Sequence, residues 1–181
     1  MLPNNLNIYI TDADHVENFL DRNITHWFTF SHTGASSSAD LTLFPKAEII
    51  SYNFHDAYDK EAHSDMLTWP NESHIKSIIE KANEIKILLQ NGERVSILVN
   101  CAAGVSRSTA AAYIILNVIM GEWNERECWA QVQSRRPIAK PNPVMVSLAD
   151  DLLDRKWKMN APIRNVVSHL TDRGNSDCVL F

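Results

Sequence analysis

Cys101, Gly104, Arg107 and Ser108 fall within one stretch of eight residues, and side chains of these types at this spacing could bind and attack a phosphate. A free thiol ionises near pH 8.5, and a helix N-terminus with a guanidinium close by lowers that to roughly 3.5–7.5. The resulting thiolate is a nucleophile. Arg107 offers a planar fork that matches two phosphate oxygens, which the point charge of a lysine does not. Gly104 lets the backbone turn inward, and Ser108 is placed to donate a hydrogen bond to the sulfur when it must leave. Ala102, Ala103, Gly104, Val105, Ser106 and Arg107 would then line the anion with their backbone N–H groups. A Cys and an Arg at this spacing would equally suit a buried thiol beside a surface cation, so the flanking elements decide.

Those elements favour the anion site. Val95, Ile97, Leu98 and Val99 form an uncharged run, as a fully buried strand requires. Thr109–Leu116 is rich in alanine and aliphatic residues and free of Gly and Pro, which reads as a buried helix. A strand that turns tightly into a helix presents inward N–H groups and roughly half a positive charge from the helix dipole.

Displacing an alkoxide or phenoxide needs a second group, since a positioned acid supplies about 10²–10⁴-fold. Asp56 and Asp59, in the segment Phe54–Asp59 after a predicted strand, are the candidates. The plainer alternative for either is a turn aspartate. His55 reads as an ordinary loop side chain.

Cys101–Ser108 matches the pattern C-x2-G-x2-R-[ST], and so resembles the signature loop of the cysteine-dependent protein tyrosine phosphatases, in their compact dual-specificity form. Arg135–Asn142 is similar to the R-P-x-x-x-P-N segment that follows that core. The likeness runs from about Ile8 to Leu153 and is nearest to small bacterial one-domain proteins of this type. It implies hydrolysis of phosphotyrosine, with phosphoserine and phosphothreonine as further substrates, through a phosphocysteine intermediate. It places Asp56 as general acid and then base, with Asp59 second, and implies no cofactor and no metal. Where the family carries a His that hydrogen-bonds into the loop, this chain has Asn100. Asn still donates and accepts, but a less acidic nucleophile and slower turnover follow. The alternative is therefore a pseudophosphatase that serves as a phosphate-binding interaction module. Phosphoinositide or RNA 5′-phosphate substrates would call for Lys or Arg inside the loop, whereas Ala102, Ala103, Val105 and Ser106 are uncharged.

The chain's 181 residues suit a single domain, with a core over about 7–157 and a tail over 158–181. Apolar residues make up 45% and charged residues 22%, which excludes a disordered chain, and the net charge of −5 argues against nucleic acid or membrane partners. The partner expected is a phosphorylated protein or a small phosphomonoester. Three scattered cysteines build neither a disulfide scaffold nor a zinc site, and the seven histidines, His32 among them, lack ligand spacing. With no signal-peptide pattern and no long apolar run, the expected location is the cytoplasm. Cys128 reads as packing. Arg135 and Arg136 lie either near the pocket rim or, by preference, at a solvated helix end. Cys178–Phe181 fits a prenylation pattern, but nothing upstream is polybasic, so an apolar tail packing on the domain is preferred.

Strands are expected at Asn7–Thr11, Thr25–Ser31 and Ala47–Asn53, besides the one before Cys101. Helices are expected near His15–Leu20, over Asn71–Leu89, over Asn124–Ser134 behind a capping box, and from Pro141 to Trp157 with Asn142 as cap. Strands separated by helices give an α/β fold, a mostly parallel sheet of four to five strands flanked by helices, which binds ligands beyond the carboxyl ends of its strands.

Overall fold

The computed structural model describes residues 2–33, 40, 42–56 and 68–171, with side chains as far as 166. The uncharged run before Cys101 forms a strand buried along its whole length, and the other strands arrange themselves around it. The strands are β1 (Leu6–Asp12), β2 (His26–Ser31), β3 (Glu48–Asn53) and β4 (Val95–Cys101). They make one sheet in the order β1-β4-β2-β3, parallel at every pair. Side chains alternate across β4. Ile97, Val99 and Cys101 join the main core with Ile8, Ile10 and Phe30, while Leu98 joins a smaller cluster with Val16, Ile24, Trp27 and Phe44.

The helices divide unequally between the two faces. The main core takes the apolar sides of α1 (Glu72–Gln90), α2 (Arg107–Met120), α3 (Glu125–Arg135), α4 (Pro143–Leu152) and α5 (Asn160–Thr171). The other face is covered by a short 3-10 helix, Ala13–Phe19, through Val16. Helix α2 touches α1, α3 and α4 as well as the sheet, and every residue from Arg107 to Ile119 is buried. Its run Ala110–Ala112 lets neighbouring backbones approach where larger side chains would hold them apart. Asn71 caps α1 by accepting the His74 N–H at 3.2 Å, and Gly92, at φ +85°, ends it in the left-handed conformation.

Two local expectations fail for a shared reason: a polar side chain finds a nearer backbone partner. Asn124 does not cap α3; its amide donates instead to Met120 O and Glu122 O at 3.0 and 3.1 Å, closing the end of α2. The helix that starts at Pro143 stops at Leu152 rather than Trp157. Asp154, Lys156 and Trp157 all have positive φ, and the Asp150 carboxylate accepts the Trp157 and Met159 N–H groups at 2.6 and 2.7 Å. That winding redirects the chain into α5, within residues expected to form a tail, and buries Met159 and Ile163 in the main core.

Candidate active site

All four strands end on one edge of the sheet. Cys101 closes β4 there, in register with Asp12 of β1 and Phe30 of β2, so the connections after β1 and β2 leave from either side of it. This is the crevice in which parallel sheets hold ligands. Cys101 is buried, and its Sγ lies 3.2 Å from the hydroxyl of Ser108 on the first turn of α2.

The loop from Ala102 to Ser106 is shaped by donors that hold its carbonyls from outside. Arg136 Nε donates to Gly104 O at 2.9 Å, and its Nη2 donates to Ala103 O at 3.0 Å. The Lys140 N–H donates to Val105 O at 2.9 Å, and the Thr109 hydroxyl donates to Val105 O and Ser106 O. The Ala13 N–H takes Ala102 O at 3.2 Å. Planar peptides with outward carbonyls turn their N–H groups to the concave side, which makes an anion-binding nest. Gly104 has φ +66°, and a Cβ there would lie 2.6 Å from Asp12 N, 2.7 Å from Thr11 C and 2.7 Å from Arg136 Nη2. Only glycine fits.

Arg107 is 2% exposed and forms no ion pair among the described residues. Its Nη1 donates to Ser31 O at 3.0 Å and Phe54 O at 2.7 Å, which fixes the plane of the guanidinium against the ends of β2 and β3. Its Nη2 lies 3.5 Å from His32 Nε2, and among the described residues its Nε has no partner. A buried guanidinium without a counter-charge is costly, so Nε, beside the Nη2 that meets His32, is a donor left for an anion.

Asp56 comes to the same place from the segment after β3. Ser106 Oγ donates to its Oδ1 at 2.6 Å, and Asn142 Nδ2 donates to the same oxygen at 2.9 Å. Oδ2 is thereby left for another partner. Asn142 also caps α4 by accepting the Met145 N–H at 3.1 Å, so one side chain both starts a helix and steadies the carboxylate. Its role was missed in the sequence beyond the cap, although the Asn–Pro start and the likeness around it were the available signals.

Asn100 faces away from the loop. Its Oδ1 accepts the Trp27 indole N–H at 2.8 Å inside the smaller cluster, on the opposite side of β4 from Cys101. Arg135 and Arg136 are not a solvated helix end. Arg135 Nε donates to Ile8 O at 3.1 Å, and Arg136, besides clamping the loop, pairs with Asp12 at 3.0 Å. Both find strand or loop oxygens because α3 ends against β1 and the nest. Burial alone would raise the Asp12 carboxyl, but hydrogen bonds from His15 and Arg136, with their positive charge, hold it below its ordinary value. Cys128 packs in the core against Met120, and burial pushes its thiol up to about 12. Asp59 and the tail ending at Cys178–Phe181 lie outside the described residues. Among the described residues no three His, Cys, Asp or Glu side chains converge as a metal site needs, and no helix is long and apolar enough to cross a membrane.

No family model matches the chain, and no curated protein matches it. Solved structures do. Human DUSP28 aligns at 18% identity and a TM-score of 0.56, over 83% of this chain and 93% of its own. The human tyrosine phosphatase-like serine/threonine/tyrosine-interacting protein aligns at 16% identity and a TM-score of 0.58, over 83% and 93%. A mouse putative dual specificity phosphatase aligns at 19% identity and a TM-score of 0.54, over 87% of each chain. The chain therefore has the α/β fold of the compact dual-specificity phosphatases, a parallel sheet flanked by helices.

Proposed function

We propose that this chain is a cysteine-dependent phosphatase of the compact dual-specificity type, hydrolysing phosphotyrosine and, by the same chemistry, phosphoserine and phosphothreonine. The observation that carries the reading is Arg107: a buried cation whose Nε has no partner among the described residues, beside a nest that begins at Cys101. Phosphate oxygens would occupy the nest and the Nε–Nη2 edge. Cys101 Sγ attacks phosphorus as the P–O bond to the leaving group breaks, and Asp56 gives its proton to the departing oxygen. Water then attacks the phosphocysteine, Asp56 takes the water's proton, and the sulfur leaves as a thiolate that accepts the Ser108 hydrogen bond. Cys101 and Cys128 are both free, and this chemistry needs a reducing compartment such as the cytoplasm.

One observation favours a second reading, a phosphate-binding module that turns over slowly or not at all. Asn100 stands where the resemblance calls for a loop-directed His, and its side chain is committed to Trp27. Among the structural neighbours, PTPMT1 is seen in complex with PI(5)P. In this chain the uncharged Ala102, Ala103 and Val105 offer nothing to further phosphates, which supports a phosphoprotein or a simple phosphomonoester as substrate. Steady-state hydrolysis of a small aryl phosphate by the wild type and by Cys101→Ser separates the readings. Turnover lost in the variant supports the enzyme, and phosphate binding without turnover in either supports the module.

A further inference from the structure

We propose that His32 is a second anion-binding group of this pocket, neutral while the pocket is empty and protonated when a phosphate or other tetrahedral dianion occupies it. The inference rests on the phosphate-site reading above. His32 directly follows Ser31, whose carbonyl accepts Arg107 Nη1, so the end of β2 touches the guanidinium twice. Its Nε2 lies 3.5 Å from Arg107 Nη2, the nitrogen that shares a fork edge with the unpartnered Nε. An oxygen docked on that edge would sit about 2.8 Å from Nη2, within reach of His32 Nε2 as well. His32 is an exposed residue, so its ring can exchange protons with solvent.

Two states of the ring answer to two states of the pocket. Without an anion, Nε2 faces a guanidinium donor and must present its lone pair. A proton there would put two cations in contact. Among the described residues, the charged and titratable groups facing His32 are Arg107 from α2 and His55 and Asp56 from the segment after β3. The His55 ring lies 5.4 Å away, with Nδ1 2.8 Å from the Thr33 hydroxyl. Burial first, then the charges of Arg107 and His55, hold the His32 ring below its ordinary range, and Asp56 offsets only part of this. A dianion between His32 and Arg107 reverses the balance. The lone pair then meets an oxygen instead of a donor, and the ring takes a proton from solvent and donates to the anion. Binding thus carries proton uptake, and affinity rises as pH falls.

The test uses sulfate, a dianion that does not titrate in this range, and a Cys101→Ser background, which removes the thiol's own titration. Calorimetry from pH 8 to 5.5 in buffers of differing ionisation enthalpy reads both affinity and protons. The expected result is sulfate affinity rising about tenfold per pK unit gained by the bound ring, with proton uptake near neutrality, and both effects lost in Cys101→Ser/His32→Asn. The same pH slope and uptake in the His32→Asn protein would overturn the proposal. So would tighter sulfate binding by that protein at every pH, since His32 would then be a plug. Loss of the slope on His55→Asn alone would reassign it to His55 and overturn the proposal equally. Absence of sulfate binding at any pH would sink the phosphate site itself, and with it this inference.

Discussion

Gly104→Ala should cost both stability and activity, and the geometry sets how much. At φ +66° a side chain costs about 1–2 kcal/mol from the left-handed backbone alone. The added Cβ would also meet Asp12 N at 2.6 Å and Thr11 C at 2.7 Å, both backbone atoms of the central sheet that cannot swing aside. Overpacking of this kind costs about 1–3 kcal/mol. Together these give roughly 2–5 kcal/mol, or a fall in Tm of about 4–20 °C for a chain of this size. If the fold survives, the nest moves away from β1 and takes the Arg136 clamp with it. A misplacement on the order of 1 Å costs about 10²-fold in rate. Gly92→Ala is the internal control, because Gly92 also has positive φ but a Cβ there meets nothing within 4 Å. Thermal unfolding followed by circular dichroism, with aryl phosphate hydrolysis on the same samples, reads both effects. If Gly104→Ala matched Gly92→Ala in stability and the wild type in rate, the close approach of nest and β1 would be wrong.

The remaining predictions concern the groups around the nest. Asp56→Asn should leave hydrolysis of aryl phosphates with acidic phenols nearly unchanged, yet cost about 10²-fold or more on phosphotyrosine peptides; equal losses on both substrates would make Asp56 structural. Asn142→Ala should lose about 1 kcal/mol with the α4 cap and slow phosphotyrosine hydrolysis more than activated esters, checked by urea titration and paired rate assays. Arg136→Gln should destabilise the protein by about 1–3 kcal/mol at pH 7. Because Asp12 has a depressed folded-state value, its share of that stability is present above the ordinary carboxylate value of 3.8 and lost as pH falls through the lower one. The gap between the urea midpoints of wild type and variant should therefore narrow at low pH, leaving the part due to the Gly104 O and Ala103 O bonds, and a constant gap would exclude the Asp12 pairing.

The legible parts of this molecule were local ones. The strand–turn–helix around Cys101 could be read because Val95–Val99, Gly104 and the alanine run each fix their own backbone. That Asp56 would lie near the nest followed from the family likeness and its place three residues beyond β3. What was not legible depended on partners far along the chain. Nothing near Arg136 announces that its guanidinium reaches back to Gly104 O and Asp12. The inward Arg107 edge becomes meaningful only once Ser31 O and Phe54 O are seen to occupy Nη1. Helix α5 was hidden because Asp150 captures two N–H groups beyond its own helix and turns the chain. Asn100, read as a weakened loop donor, faces Trp27, because strand alternation puts it on the opposite side from its neighbour Cys101.

The central claim is that Cys101 carries the phosphoryl group between two half-reactions. Mixing the protein with an aryl phosphate, quenching in acid within the first turnovers and mapping the peptides by mass spectrometry tests it directly. The expected result is a phosphoryl group on the Cys101 peptide that appears with a burst of phenol and is absent in Cys101→Ser. Continued hydrolysis with Cys101 unmodified, or with phosphate on another residue, would contradict it.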